Sequence, residues 1–337
     1  MMLESETENI AVAIAEGRLD LVREARTEMV KRLVQDGRPP QVVCREISRY
    51  NRLVEQNVFQ FFAGEYAWLN GCTFLEFGSG ARDEQVLSSD QDNGLIWRER
   101  PDEGQLEEAT QRMVMTLDAG GIRICPGDVM LSNEKWRGDF HDWRKKLTKW
   151  LTTPKVEGGW KVGTIVDFSP VCGPLDSEVQ ALSSELKGLV HDHPVILKNL
   201  AMEIAEFKAP VTFWGGFVLE REGPLKGSLD IKHAILAHLT NAARVLCLKH
   251  GIEKANSRER VLALGEGSHI PKKIARDLAS LWDWVQEKRI NSNLESVQNI
   301  KIGVNPYRLD KEEQKNLRGL LHALDKFISL VQQGSGL

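Results

Sequence analysis

Apolar residues recur at three- and four-residue spacing over residues 7–36, through Ile10, Val12, Ile14, Leu19, Leu21, Val22, Ala25, Met29, Val30 and Leu33. That period predicts one helix, stopped by Gly37 and the pair Pro39-Pro40. A second helix is predicted over 41–66, with Val43, Ile47, Leu53, Val54, Val58 and Phe61 as its stripe. Both read as packing helices without chemistry. At residue 71 the texture changes. Cys72–Phe77 is a short apolar strand running into Gly78-Ser79-Gly80, and Asn93–Trp97 reads as a second strand. Residues 103–119 form an amphipathic helix closed by Gly120-Gly121. Trp136, Trp143 and Trp150 follow at seven-residue intervals, which places them on one face of a predicted helix. An aromatic packing stripe against the neighbouring domain explains them better than a base-stacking platform. Val162–Phe168 reads as a third strand, ended by Pro170. Beyond 174 the helical period returns at 176–190, 194–207, 232–249, 271–288 and 309–333, around an irregular Pro- and Gly-rich excursion at 208–231. The pattern predicts an α+β protein in three parts. These are an N-terminal helical segment (1–66), a small mixed-sheet domain (67–173) and an all-helical domain (174–337).

Composition narrows the class. At 42% hydrophobic and 27% charged residues the chain has the balance of a soluble globular protein. No apolar run reaches the roughly 20 residues of a membrane helix, and acids occupy the N-terminus where a secretory leader would carry base. A cytoplasmic protein, without membrane association, is expected. The five cysteines are dispersed with no CxxC pair, so reduced thiols are expected rather than disulfides or a zinc knuckle. His191-Asp192-His193 lies where a loop leads into a helix, and reads as a helix start rather than a metal site. The net charge of −4 disfavours a nucleic-acid substrate; the basic run from Lys135 to Lys149 reads as one solvated helix face.

The stretch FLEFGSGARDEQVLSSDQDNGLIW, from Phe74 to Trp97, carries the chemistry. Nucleotidyl transfer asks for two hard cations held by clustered carboxylates. Residues i and i+2 of a strand project to one face, so Asp90 and Asp92 aim at one point. Asp167, on a predicted neighbouring strand, is the natural third carboxylate. Gly78 allows close approach of backbone to phosphate, Ser79 offers a hydroxyl, and Arg82 offers charge.

Together these residues resemble the catalytic motif of nucleotidyltransferases related to PII-protein uridylyltransferase and glutamine synthetase adenylyltransferase. The resemblance is closer to a bacterial nucleotidyltransferase family with Gly-Ser-x-Gly-Arg-x-Glu-Gln before Ser/Thr-Asp-Gln-Asp. It rests on Gly78, Ser79, Arg82, Glu84, Gln85, Ser89, Asp90, Gln91 and Asp92, and continues at Cys125-Pro126-Gly127, Asn133, Trp136, Trp143 and Val166-Asp167-Phe168. It reappears at Lys226–Lys232 and Ala243–Leu246. The resemblance implies a polymerase-β-type catalytic domain that binds two Mg2+ ions and a nucleoside triphosphate (ATP or UTP) and modifies a hydroxyl, for example on a signalling protein. It makes Asp90, Asp92 and Asp167 the catalytic metal carboxylates, and Gly78, Ser79, Arg82, Asp230 and Lys232 the nucleotide-binding set. Ala81 departs from the glycine common in relatives at that place. The chain has no room for the sensory domains that relatives carry, so built-in sensing and reversal are not expected.

A second reading keeps the site but not the reaction: a non-catalytic Mg-NTP-binding module whose helical half holds a protein partner. A small-molecule acceptor is a third reading, within the enzyme class.

Overall fold

The computed structural model describes residues 2–152, 165–202, 204, 207–212, 214–296 and 302–334. The chain divides into two compact units, Met1–Trp150 with Thr164–Leu186, and Leu151–Gly163 with Lys187–Leu337. The architecture is α+β, a small four-stranded sheet among helices. Among the described residues no helix is long and apolar enough to cross a membrane.

The first unit opens with α1 (Met2–Ala15), α2 (Leu19–Gln35) and α3 (Pro40–Glu65). The single helix predicted over 7–36 is therefore two. Gly17 adopts φ +70°, and the Arg18 N–H returns to the Ala13 carbonyl at 2.8 Å, a glycine-closed helix end. The apolar period runs across this break because α1 and α2 both pack on α3. Pro40 sits in the first turn of α3, where its missing N–H costs nothing.

Next come β1 (Cys72–Phe77), β2 (Asn93–Trp97), α4 (Glu103–Ala119), β3 (Arg137–Asp139), α5 (Phe140–Thr152) and β4 (Phe168–Cys172). The sheet order is β3-β2-β1-β4. β1 is antiparallel to both β2 and β4, whereas β2 and β3 run parallel. Every residue of β1 is buried, as expected of a central strand covered on both faces. On one face Phe74 meets Phe59 of α3, within a core that includes Val54, Val58, Leu95 and Met113. On the other, Phe77 packs against Trp136 and Trp143, with ring centroids at 5.1 and 5.7 Å.

Two expectations about this unit are corrected. The third strand begins at Phe168, not Val162; residues 162–164 lie outside the described residues, and Ile165 and Val166 are helical. Pro170 lies within the strand instead of ending it, which an edge strand tolerates because one row of its N–H groups needs no partner. Trp136 precedes the helix, in a 3-10 turn (Glu134–Trp136) followed by β3. The three tryptophans still gather, with Trp136 5.2 Å from Trp150 and 6.4 Å from Trp143, and the Trp143 indole donates to the Leu95 carbonyl. They form the packing cluster expected, but against the sheet of their own unit.

The α3 face of β1 also buries charge. Glu76 points toward Arg52 and Glu55 of α3, and among the described residues Glu55 Oε2 has no hydrogen-bond partner. Burial, then the neighbouring Glu76 charge, pushes the Glu55 carboxyl well above the usual range; Arg52 pulls the other way. The folded protein thus holds this proton more tightly than the unfolded chain. The resulting stability is full below the ordinary carboxylate pKa of about 4.3 and is lost as pH rises through the folded value. Glu55→Gln removes the titration. The variant should melt at least about 2 °C above wild type at pH 8, with the gap closing toward pH 5. A constant offset across that range would contradict the assignment.

α6 (Asp176–Asp192) leads to the second unit, with α7 (Pro194–Met202), α8 (Ala237–Lys249), α9 (Ser257–Glu266), α10 (Lys272–Glu295) and α11 (Lys311–Gly334). A π-helical turn, Lys232–Leu236, opens α8, and β5 (Leu229–Asp230) pairs with β6 (Gly303–Val304). Leu239, Leu264, Leu281, Trp282, Leu321 and Phe327 are buried. Helix α9 has no counterpart in the sequence prediction: its apolar stripe is short, and the Asn256 side chain that caps the Arg258 and Glu259 N–H groups is its clearest signal.

Candidate active site

Strand polarity gathers the site at one end of the sheet. β1 ends at Phe77, and both antiparallel neighbours begin beside that end. Asp92 immediately precedes β2, and its carbonyl accepts the Phe77 N–H at 2.9 Å. Asp167 immediately precedes β4, and its carbonyl accepts the Gly78 N–H, also at 2.9 Å. Asp92 and Asp167 therefore flank the point where β1 becomes the Gly-Ser turn. Asp90 is held by a parallel bridge to Arg123, with the Gln91 N–H donating to the Arg123 carbonyl.

The alternation expected of the Asp-x-Asp segment is present. Gln91 and Asn93 are buried; Gln91 donates to the Val114 and Ile122 carbonyls and accepts from Asn93, which accepts from the Leu131 N–H. Asp90 and Asp92 are partly exposed. The intervening amide anchors the segment inward, so the two carboxylates are left on the accessible side.

The turn after β1 is compact. Gly78 adopts φ +59°, and the N–H groups of Arg82, Asp83 and Glu84 return to the carbonyls of Gly78, Gly80 and Ser79. Asp83 takes φ +57°, unusual for a residue with a side chain. A Cβ at Gly80 would lie 2.7 Å from Glu76 Oε2, so that carboxylate would have to shift to admit one.

Arg82 does not lie open on this turn. Its guanidinium donates to Glu84 at 2.8 Å and to Asp167 at 3.2 Å, and both carboxylates are almost fully buried. Burial opposes its charge, but the two carboxylates outweigh that and hold its pKa above the ordinary value. Removing the cation would strand two buried acids, a cost of about 3–5 kcal/mol. Arg82→Met should accordingly lower the unfolding free energy measured in urea by an amount of that size; a change within about 0.5 kcal/mol would mean the pair is not buried as described.

Among the described residues, no group of three His, Cys, Asp or Glu side chains lies close enough to hold a metal ion. Cys125, from the Cys-Pro-Gly tripeptide, belongs to this neighbourhood although sequence reasoning gave it no role. Burial, then the charge of Asp92 and a hydrogen bond to it, pushes its thiol up to about 12. It therefore stays protonated. Asp230 and Lys232 lie in the second unit, where the Asp230 carboxylate caps the π-helical turn by accepting from the Lys232 and His233 N–H groups and meets His233 Nδ1 at 2.9 Å.

Two acidic positions thus flank a Gly-Ser turn at one end of a small mixed sheet. Comparison with known proteins gives the family. Residues 24–157 match the family described as putative nucleotidyltransferase DUF294, and residues 194–334 match its companion, described as a putative nucleotidyltransferase substrate binding domain. These matches span most of the chain, which belongs to this nucleotidyltransferase family. Its substrates therefore include a nucleotide. No curated protein matches the chain.

Proposed function

We propose that the protein is a Mg-dependent nucleotidyltransferase that moves a nucleoside monophosphate from ATP or UTP to a hydroxyl, on a protein side chain as in PII uridylyltransferase. The observation that supports this best is that Asp92 and Asp167 meet the two sides of β1 at its last residues, where the Gly-Ser turn begins.

Asp90, Asp92 and Asp167 offer only carboxylate oxygens, the donors a hard cation such as Mg2+ takes. When bound, the ions supply positive charge for the triphosphate and the leaving pyrophosphate. Arg82 now spends its charge on Asp167 and Glu84, so the reading requires Asp167 to loosen from that pair. Gly78 and Ser79 orient the triphosphate, through close backbone approach and a hydroxyl hydrogen bond. The acceptor oxygen forms a bond to the α-phosphorus, the bond from that phosphorus to the β-phosphate oxygen breaks, and pyrophosphate departs with the electron pair. Asp167 takes the acceptor proton. Asp230 and Lys232 lie in the segment matched to a substrate-binding domain, and we assign them to the nucleotide.

The test is transfer from each of the four nucleoside triphosphates, labelled at the α-phosphate, with Mg2+ and a cell lysate as acceptor source. Label appearing on a protein, with pyrophosphate released, is the expected result. Tight Mg-NTP binding with no release across acceptors and divalent ions would favour the non-catalytic module.

A further inference from the structure

Arg52, on the sheet-facing side of α3, touches three separate parts of the catalytic segment. Its Nε donates to Glu76 Oε1 at 2.7 Å, on β1. Its Nη2 donates to the Gly80 carbonyl at 3.2 Å and also to the Asp83 carboxylate. One guanidinium thus joins the strand that leads into the Gly-Ser turn, the turn itself, and the residue that holds its left-handed conformation. Glu76 extends the link, because the Ser169 hydroxyl donates to the same Oε1 at 3.0 Å, two residues beyond Asp167. The fork geometry of arginine is what allows three acceptors to be met at once.

A parallel brace lies nearby. Arg26 of α2, fully buried, donates to Asn51, to the Leu87 carbonyl and to the Gly121 carbonyl, and Asn51 donates to Gln85. The loop from 78 to 91 is therefore tied to α3 at Gly80, Asp83 and Gln85 and to α2 at Leu87. Of these two arginines, Arg52 is the one that reaches the turn that would receive phosphate.

We infer that Arg52 is a positioning residue: it fixes the 78–84 turn in the conformation that accepts the nucleotide triphosphate. The inference rests on the proposed nucleotidyl transfer for its ligand, although the bracing of the turn can be measured without one. Asp83, in a strained conformation, is kept there by the cation it faces. Burial opposes the charge of Arg52, but Glu76 and Asp83 raise its pKa above the ordinary value, so it remains a cation.

Arg49, one turn earlier on α3, supplies the control. It also pairs with two carboxylates, Glu6 and Glu46, and touches nothing in the turn. R52M and R49M are each compared with wild type by calorimetric titration with Mg-ATP and Mg-UTP, and by amide hydrogen exchange. R52M should weaken nucleotide binding about tenfold or more, as loss of charged hydrogen bonds implies, and speed exchange at the Arg82, Asp83 and Glu84 amides about tenfold. R49M should do neither, even where its melting temperature falls as far. R52K should recover melting temperature through Glu76 without recovering affinity, because one ammonium cannot replace the fork. If R52M fails to fold, D83N weakens the turn contact by taking the charge from its acceptor, and asparagine tolerates the same φ. Equal exchange at the turn in R52M and R49M, or in D83N and wild type should R52M not fold, overturns the inference. If wild type binds no nucleoside triphosphate, the proposed function falls, while the exchange measurement still decides whether Arg52 holds the turn.

Discussion

Asp92→Asn is expected to abolish nucleotidyl transfer while leaving the fold and most nucleotide affinity in place. The side chain keeps its shape but loses a charge at the end of β1. On the proposed function, two cations held by Asp90, Asp92 and Asp167 would lose much of their support when one carboxylate becomes an amide. Because that support acts on charge developing in the transition state, the loss falls on turnover more than on binding, and about a thousandfold or greater drop in kcat is the scale to expect. The fold should survive, because the contact Asp92 makes with Phe77 is through its carbonyl, which asparagine retains. The Cys125 thiol can still donate to the amide oxygen. Pyrophosphate release and nucleotide titration, measured on both proteins, separate the readings. Wild type that turns over beside a silent variant that still binds supports catalysis. Two proteins that bind alike and release nothing support the non-catalytic module.

The acidic pair was legible because strand alternation is a local rule, and Asp90-Gln91-Asp92 follows it, with Gln91 turned inward. Asp167 reads from the sequence as a residue on a neighbouring strand, but the strand starts one residue after it, and its ion pair with Arg82 joins positions 85 residues apart, which no spacing rule reveals. The N-terminal helices read from the sequence as packing alone. Their apolar stripe holds in part, since Val22, Val30, Ile47 and Val58 are buried whereas Val12, Leu21 and Phe61 are exposed, and Arg26, Asn51 and Arg52 look from the sequence like solvent-facing polar positions between the apolar ones. Packing turns them onto the 78–91 loop, and packing depends on what lies above, not on period. The break at Gly17 was hidden for a related reason: two helices lying on the same partner keep one continuous apolar rhythm.

The position most sensitive to a single methyl group should be Gly173, which closes β4. Its φ is +141°, a conformation side chains rarely adopt. A Cβ there would stand 2.3 Å from Thr73 Oγ1, 2.4 Å from the Cys72 carbonyl oxygen and 2.5 Å from Thr73 Cα. Two of those atoms are backbone of β1, which is paired on both sides and cannot step aside without disturbing β2 or β4. Thr73 is also committed, since its hydroxyl accepts the Leu175 N–H at 2.9 Å. Overpacking costs about 1–3 kcal/mol and forced backbone strain about as much, so Gly173→Ala should lose roughly 3–5 kcal/mol, a large share of the stability of an ordinary domain. Gly64 of α3 is the matched control: nothing lies within 4 Å of its added Cβ, and alanine there should be neutral or stabilising. Urea unfolding of both variants checks the contrast, and equal midpoints would mean that β4 does not approach β1 this closely. The consequence reaches the site. The same β4 that Gly173 closes carries Ser169 against Glu76 and begins beside Asp167, whose carbonyl holds Gly78. Any of the variant that remains folded should therefore bind Mg-NTP more weakly than wild type, although Gly173 lies at the opposite end of the strand from the aspartates.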